Sequence, residues 1–180
     1  MAIDETIKAL AARAGFHVVR NHNNPAHTFM GLHRYEFQTI LDVGANIGQF
    51  GREIRERFPA ADLICFEPIP RPFAELAEWA ASQKGVRAVQ LALGDAREQL
   101  SMFVHDDHTP SSSLLATTQE TSELYPSTAR QSEITVPVER LDDWIAANGV
   151  ALGGNVLLKI DVQGFEMRVL KGAPETLART

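Results

Sequence analysis

The sequence predicts an α/β fold in which a parallel β-sheet carries helices on both faces. Apolar stretches of strand length alternate along the chain with helical patterns, an order typical of parallel sheets. The first of these strands leads into a turn that contains two glycines, and acidic residues follow the ends of the strands. Parallel strands end at one edge of the sheet, where open α/β folds bind their ligands.

Local signals place the individual elements. Phe50, Ile54 and Phe58 recur at helical spacing after the glycine turn, and Pro59 ends that helix. Gly85 ends the next helical pattern in the same way that a glycine commonly follows a helix. The predicted strands are 38–43, 62–68, 86–95 and 155–161, and the predicted helices are 48–58, 72–83, 141–148 and one that begins near 163–166.

Two regions depart from this alternation. Residues 3–14 form an amphipathic pattern that is followed by a polar, irregular leader. The stretches 99–107 and 134–140 look like two added strands that could pair antiparallel, and a long Ser/Thr-rich segment separates them. The predicted organisation is therefore an N-terminal helix and leader over 1–36 and a main domain over 37–180, with an inserted hairpin and lid at about 99–140.

Composition narrows the class of protein. A net charge of −6 and a pI of about 5.5 argue against a nucleic-acid-binding protein, although a local basic patch would be compatible with them. The single cysteine, Cys65, excludes an internal disulfide and fits a reducing cytoplasm. No apolar stretch reaches the roughly 18 residues of a membrane span, and the N-terminus lacks a secretory signal. We therefore expect a cytoplasmic protein with no membrane or nucleic-acid partner.

The glycine turn, with Asp42, Gly44, Asn46 and Gly48 in "LDVGANIGQF", indicates a nucleotide-like ligand. Asn46 replaces the second glycine of the dinucleotide-binding pattern G-x-G-x-x-G, which argues against NAD. Asp42 would repel a pyrophosphate but suits the amine and sulfonium of S-adenosylmethionine (SAM). The alternative is a tight strand–helix turn that binds no ligand.

Two further acids support a SAM site. Glu67 follows the second strand, 25 residues after Asp42, where an acid accepts hydrogen bonds from both ribose hydroxyls. Asp95 follows the third strand, where it could take the adenine amino group. The alternatives are an ordinary strand-end glutamate for Glu67 and a turn-forming residue after Gly94 for Asp95.

Five stretches of the sequence carry a family resemblance: "ILDVGANIGQF" (40–50), "CFEPIP" (65–70), "LALGD" (91–95), "LLKIDVQGFEMRVLKGA" (157–173) and, more weakly, "VERLDDW" (138–144). Together they resemble the FkbM family of SAM-dependent methyltransferases, which has the Rossmann-like class I fold. The resemblance implies O-methylation of a small-molecule hydroxyl acceptor, often a sugar or a secondary metabolite, with SAM as the cofactor.

One departure from the family pattern concerns the end of the sheet. The family's sheet has seven strands, three of which follow the region of Asp161, whereas this chain stops at Thr180. The last strands therefore look absent, and we expect either a fragment or an edge that a partner supplies, such as another copy of the chain. A non-catalytic SAM-binding or assembly module is the alternative function.

Methyl transfer to a hydroxyl needs a base, and Asp161 is the first candidate. It ends the fourth predicted strand, next to the first strand in the expected order, and should face the same crevice as Gly44. Its alternative role is the N-cap of the following helix. Lys159 shares its face of the strand and could tune or simply pair with that carboxylate, and Glu166 is a further candidate that could merely favour the helix dipole.

Other polar clusters are weaker candidates. The stretch 105–108, "HDDH", could bind a metal or supply His105 as a base, but a polar hairpin end is the favoured interpretation, so no metal site is predicted. The serines 111–113 could line the acceptor site or serve as flexible filler.

Overall fold

A computed structural model of the chain describes residues 5–15, 31–105 and 131–180. The chain divides into two compact units, Met1–Glu36 and Phe37–Thr180. In the described part of the first unit, helix α1 spans Glu5–Arg13 and a short 3-10 turn spans Leu32–Arg34. In the described part of the chain, we find no helix with the length and apolar character needed to cross a membrane.

The second unit contains the α/β fold. Its described elements are β1 (Thr39–Val43), α2 (Gln49–Arg57), β2 (Asp62–Phe66), α3 (Pro70–Ala81), β3 (Val86–Val89), β4 (Ala92–Leu93), β5 (Glu98–His105), β6 (Gln131–Glu139), α4 (Leu141–Ala147), β7 (Val156–Ile160), α5 (Glu166–Lys171) and α6 (Pro174–Leu177). Among the described residues, four parallel strands form the main sheet in the order β3-β2-β1-β7, so β1, which precedes the glycine turn, lies between β2 and β7.

Helices cover both faces of the main sheet, as predicted. Side chains alternate along a strand, so Leu41 and Val43 share one face, and they pack in one core with Trp144 of α4 and Val169 of α5. On the other face Gly51 of α2 lies so close to Trp79 and Cys65 that an added Cβ would sit 3.1 Å from the ring and 3.4 Å from the Cys65 sulfur.

The prediction of a single third strand over 86–95 is wrong, because the structure has two short strands there, β3 and β4. The chain leaves the main sheet after Val89, whose carbonyl accepts a hydrogen bond from the Leu91 N–H. Residues 92–93 then pair in parallel with β6 in a second sheet, ordered β4-β6-β5. In this sheet β5 and β6 pair antiparallel, as expected for the inserted hairpin.

Close backbone contact joins the second sheet to α5. A Cβ on Gly172, at the end of α5, would lie 1.9 Å from the carbonyl oxygen of Gly94. The Gly94 N–H in turn donates to the carbonyl of Glu139 at 2.9 Å. The close approach leaves no room for a side chain at Gly172, which explains the glycine of "LKGA". It also places the end of α5 beside the end of β4.

Candidate active site

A cavity of about 460 Å³ opens where β1, β2 and β7 end. The residues that follow these three strands form its polar side, which includes Asn46, Glu67 and Asp161. Apolar residues from 91–93 and Met102 of β5 form the facing wall. The volume lies in the range of small-molecule and cofactor sites, which are mostly apolar with a few placed polar groups.

The glycine turn brings β1 and β7 into contact at the cavity. Gly44 has a φ of +79°, and a Cβ there would lie 2.0 Å from the main-chain oxygen of Asp161. A larger residue would therefore push the turn away from β7. Gly48, with a φ of +87°, lies outside the cavity lining; a Cβ on it would meet Leu76 and Trp79 of α3 at 3.0 and 3.2 Å.

Glu67 fastens the glycine turn to the end of β2. Its carboxylate accepts hydrogen bonds from the N–H groups of Asn46 and Ile69, each at 2.8 Å. Asn46 adopts a left-handed φ of 51°, and its side-chain oxygen accepts the N–H of Ile47 at 2.9 Å. Burial raises the pKa of Glu67, while the N–H groups of Ile69 and Asn46 oppose that rise.

Asp42 lies beneath the cavity surface. Its side chain is fully buried, and the ammonium of Lys159 lies 3.0 Å from its Oδ1. Neither oxygen makes a hydrogen bond of acceptable geometry with the described residues. Because opposite charges lie 3.0 Å apart, the contact between Asp42 and Lys159 is an ion pair. Burial raises the pKa of Asp42, and Lys159 acts against that rise.

Lys159 and Asp161 face the cavity at the end of β7. The Lys159 Nζ donates to the Gly44 carbonyl at 3.2 Å and lies 3.7 Å from Asp161 Oδ2. Gln163 Nε2 donates to the other oxygen, Oδ1, at 3.2 Å. Asp161 is 58% exposed, so its carboxylate is held on both sides and still open to a ligand.

The alternative in which Asp161 caps the next helix does not fit the structure. Helix α5 begins only at Glu166, its N-cap residue is Phe165, and that cap has no side-chain hydrogen bond. The intervening turn is instead shaped by Gln163 and Gly164, with φ values of 52° and 93°. A left-handed glutamine is uncommon, and such residues cluster at functional sites.

Two further predicted site residues, Glu166 and Asp95, lie outside the lining of this cavity, as Gly48 and Asp42 do. Glu166 accepts the N–H of Gly164 at 3.0 Å, and this and neighbouring backbone N–H groups lower its pKa. Asp95 accepts a hydrogen bond from Arg168 Nε at 2.5 Å, which lowers the pKa of Asp95. Asp95 also follows β4 of the second sheet rather than a strand of the main sheet.

Sequence reasoning missed Gln163, Arg168 and Phe165. Phe165 lines the cavity, and the Arg168 guanidinium stacks over its ring at 4.6 Å while also binding Glu98. The three-residue spacing of Phe165 and Arg168 is visible in the sequence. The acids that bind Arg168 are 73 and 70 residues away along the chain, so no local sequence pattern predicts these contacts.

The "HDDH" stretch lies mostly beyond the described residues. His105 ends β5, and 106–108 as well as the serines 111–113 fall outside the described ranges. Within the ranges 5–15, 31–105 and 131–180 no group of three or more metal-ligating side chains comes together.

The parallel sheet, the glycine turn and the acids around one crevice define a Rossmann-like methyltransferase fold. Comparison with known proteins agrees. The sequence profile described as "Methyltransferase FkbM domain" matches residues 42–180, so the chain belongs to the FkbM methyltransferase family.

Similar proteins include two named O-methyltransferases. The 2-O-methyltransferase NoeI of Sinorhizobium fredii (strain NBRC 101917 / NGR234) is 32% identical over 147 residues, which are 78% of this chain and 59% of NoeI. The 31-O-demethyl-FK506 methyltransferase FkbM of Streptomyces tacrolimicus is 33% identical over 158 residues, 76% of this chain and 59% of that protein. The chain thus spans about three-fifths of the length of these relatives.

A solved structure shares the fold. The crystal structure of Methyltransferase FkbM from Methylobacillus flagellatus KT aligns with a TM-score of 0.52 at 16% identity and covers 83% of this chain and 32% of that one. At this identity the likeness establishes the fold alone.

Proposed function

We propose that the protein is a SAM-dependent O-methyltransferase that acts on a hydroxyl group of a small molecule. One observation carries the proposal: Glu67, the glycine turn and Asp161 line a single cavity at the carboxyl edge of the sheet. The names of the relatives NoeI and FkbM both describe transfer to oxygen, which supports the same reaction class here.

The polar and apolar groups that line the cavity fit SAM. A carboxylate has about four acceptor positions, and the backbone N–H groups of Asn46 and Ile69 occupy two on Glu67. The other two can accept the ribose hydroxyls. The apolar wall formed by 91–93 and Met102 suits the flat adenine ring, and Asp161 suits a cationic sulfur.

The proposed roles follow the order of the strands. Glu67 binds the ribose, the backbone of the glycine turn lies along the amino-acid part, and Asp161 faces the reacting end. Asp95 lies outside the cavity lining, and Arg168 donates to its Oδ1. We therefore propose that Asp95 acts at the rim of the site, and that Glu166 shapes the loop rather than acting as the base.

Bound SAM would supply an electrophilic methyl group on a sulfonium sulfur, which becomes a neutral thioether when the C–S bond breaks. The acceptor oxygen forms the new C–O bond with its own electron pair. Its proton passes to the carboxylate of Asp161, which Gln163 and Lys159 hold in place. A base placed in this way contributes roughly 10²–10⁴-fold to the rate.

The acceptor belongs to the class of small hydroxylated molecules, either sugars or secondary metabolites. A calorimetric titration with S-adenosylhomocysteine (SAH) and, in parallel, with NAD tests the cofactor. Binding of SAH without NAD is the expected result, and binding of NAD alone would refute the proposal. Screening hydroxylated sugars and metabolites for transfer of a labelled methyl group then separates an enzyme from a non-catalytic SAM-binding module, which would bind SAH and methylate none of them.

A further inference from the structure

An ion pair joins the lining of the proposed SAM site to a carboxylate buried beneath it. Asp42 and Lys159 occupy paired positions on the adjacent parallel strands β1 and β7, and their side chains meet at 3.0 Å. Asp42 is fully buried and does not line the cavity, whereas Lys159 does. Asp42 can therefore act on a ligand only through the position and charge of Lys159.

The pair is poorly built as a stabilising feature. Burying the charge of Asp42 is costly, and attraction to one ammonium does not offset that cost well unless further hydrogen bonds satisfy the carboxylate. Asp42 has no hydrogen bond of acceptable geometry with the described residues. Lys159, in contrast, also donates to the Gly44 carbonyl at 3.2 Å and so connects Asp42 to the glycine turn.

The charge balance of the cavity depends on this pair. Among the described residues, three ionisable side chains line the cavity: the cation Lys159 and the carboxyl groups of Glu67 and Asp161. With Asp42 ionised, its charge offsets that of the Lys159 ammonium, and the carboxylate of Asp161 dominates the field beside it. Without that charge, the ammonium would oppose any other cation placed beside Asp161, which lies only 3.7 Å from it.

We propose that Asp42 is a positioning residue that holds Lys159 against the glycine turn and cancels its charge, so that the cavity favours the cationic cofactor over its neutral product. The inference rests on the proposed function, because SAM carries a sulfonium and SAH an uncharged thioether. It predicts a role for Asp42 in releasing the product after methyl transfer, without any direct contact with the ligand.

The ratio of SAM affinity to SAH affinity tests this role. Both compounds share the ribose, adenine and amino-acid groups, so loss of those contacts cancels in the ratio. In Asp42→Asn the ratio should fall roughly tenfold, the size that one uncompensated unit charge several ångströms away produces in a protein site. The measurement is isothermal titration calorimetry of folded wild type and variant with each compound.

A double variant isolates charge from shape. Asp42→Asn combined with Lys159→Met leaves no uncompensated charge, so the ratio should return to the wild-type value even if both affinities fall. Asp142→Asn is the matched control, because it removes a carboxylate that lies outside the cavity lining, and its ratio should equal that of wild type.

Two results would overturn the proposal: an unchanged ratio in folded Asp42→Asn, or a double variant whose ratio stays low. If Asp42→Asn fails to fold, Lys159→Met alone serves instead. Removing the cation leaves no uncompensated positive charge, so the ratio should stay at or above the wild-type value, and a fall would contradict the proposal. Wild-type protein that binds neither SAM nor SAH would refute the proposed function itself, which is distinguishable from a normal pair of affinities with an unchanged ratio.

Discussion

Asp161 is held by two neighbours yet remains open to the cavity. Gln163 donates to one oxygen, Lys159 lies near the other, and more than half of the side chain is exposed. This combination fixes the direction of a carboxylate without burying it. It suits a group that must accept a proton from a bound hydroxyl, because placement within hydrogen-bond reach comes before the value of the pKa.

Asp161→Asn should reduce methyl transfer by roughly 10²–10⁴-fold, since an amide keeps the shape but cannot take the proton. The affinity for SAH should stay close to that of wild type, because Glu67 and the glycine turn remain in place. Turnover of a labelled methyl group and calorimetry measure the two effects separately. Glu166→Gln is the matched control and should retain turnover; equal rates for wild type and Asp161→Asn would remove Asp161 as the base.

Glu67 should make stability depend on pH. Burial raises the pKa of Glu67, so the folded protein retains this proton to a higher pH than the unfolded chain does. Its contribution to stability is therefore fully present below the ordinary value of 4.5 and is lost as pH rises through the folded pKa.

Glu67→Gln should remove that loss. The free energy of unfolding of wild type, minus that of Glu67→Gln, should fall as pH rises above 4.5 and through the folded pKa of Glu67. Urea unfolding at a series of pH values gives this difference, and the other titrating groups cancel in it. A difference that stays constant with pH would mean that burial does not perturb this carboxylate.

For single residues, the sequence predicts the position in a strand better than it predicts which other residues the side chain contacts. It places Asp42, Glu67 and Asp161 at strand ends, because strand pattern and chain order determine where a strand stops. It does not predict that Asp42 is buried and paired with Lys159, since that contact depends on the register between β1 and β7. Arg168 and Asp95, 73 residues apart, are in contact for the same kind of reason.

Among the elements, the short helix α6 depends on one carboxylate. Asp142 of α4 accepts the N–H groups of Glu175 and Thr176 at 2.8 and 3.0 Å, and the Thr176 hydroxyl at 2.6 Å. The "LDDW" motif is therefore explained by a helix cap that acts across the chain. Its neighbour Asp143 is 62% exposed and lies 3.6 Å from the guanidinium of Arg140.

Asp142→Ala should lower the free energy of unfolding by about 1–2 kcal/mol, because two helix N–H groups and a hydroxyl lose their acceptor. Asp143→Ala is the matched control, and it should change stability by less than about 0.5 kcal/mol. Urea titrations followed by circular dichroism compare the two. Equal effects would show that the cap adds nothing beyond an exposed charge.

The contact between α5 and β4 requires a glycine at position 172. Gly172 has an ordinary φ of −84°, so only space restricts the residue there, and an added Cβ would lie 1.9 Å from the Gly94 carbonyl oxygen. Gly172→Ala should therefore cost at least about 3 kcal/mol. Gly154→Ala, where the nearest atom is 3.9 Å away, should be nearly neutral in the same unfolding assay. A stable Gly172→Ala protein would show that α5 can move away from β4.

Element existence follows from periodicity, but the division between sheets does not. The helices α2 and α3 lie within two residues of their predicted bounds because Pro59 and Gly85 mark where each pattern stops. The stretch 86–95 reads as one apolar strand. Only the pairing of 92–93 with β6, far along the chain, breaks it after Val89.

For the whole molecule, the order of the strands creates the site. Placing β1 between β2 and β7 brings Glu67, Gly44 and Asp161 to one crevice, although 94 residues of sequence separate Glu67 from Asp161. The same order leaves β7 at an edge. Within the described ranges it pairs only with β1, and Leu157, Leu158 and Ile160 remain partly exposed.

An edge of this kind favours association with another copy of the chain. Partly exposed apolar side chains beside an open strand edge offer a surface for pairing. We therefore expect the 180-residue protein to sediment as larger species as its concentration rises. Sedimentation velocity over a wide concentration range measures this. A monomer at every concentration would contradict the expectation.

Leu157→Lys identifies the edge as the cause. A charge on an edge strand opposes strand pairing, so this variant should associate less than wild type at equal concentration. Met167→Lys is the matched control, because it places the same charge at a side chain that is 65% exposed on helix α5 and not on the strand. If both lysines reduce association alike, general surface charge and not the edge of β7 would drive it. Weaker association in Leu157→Lys alone would assign the contact to β7.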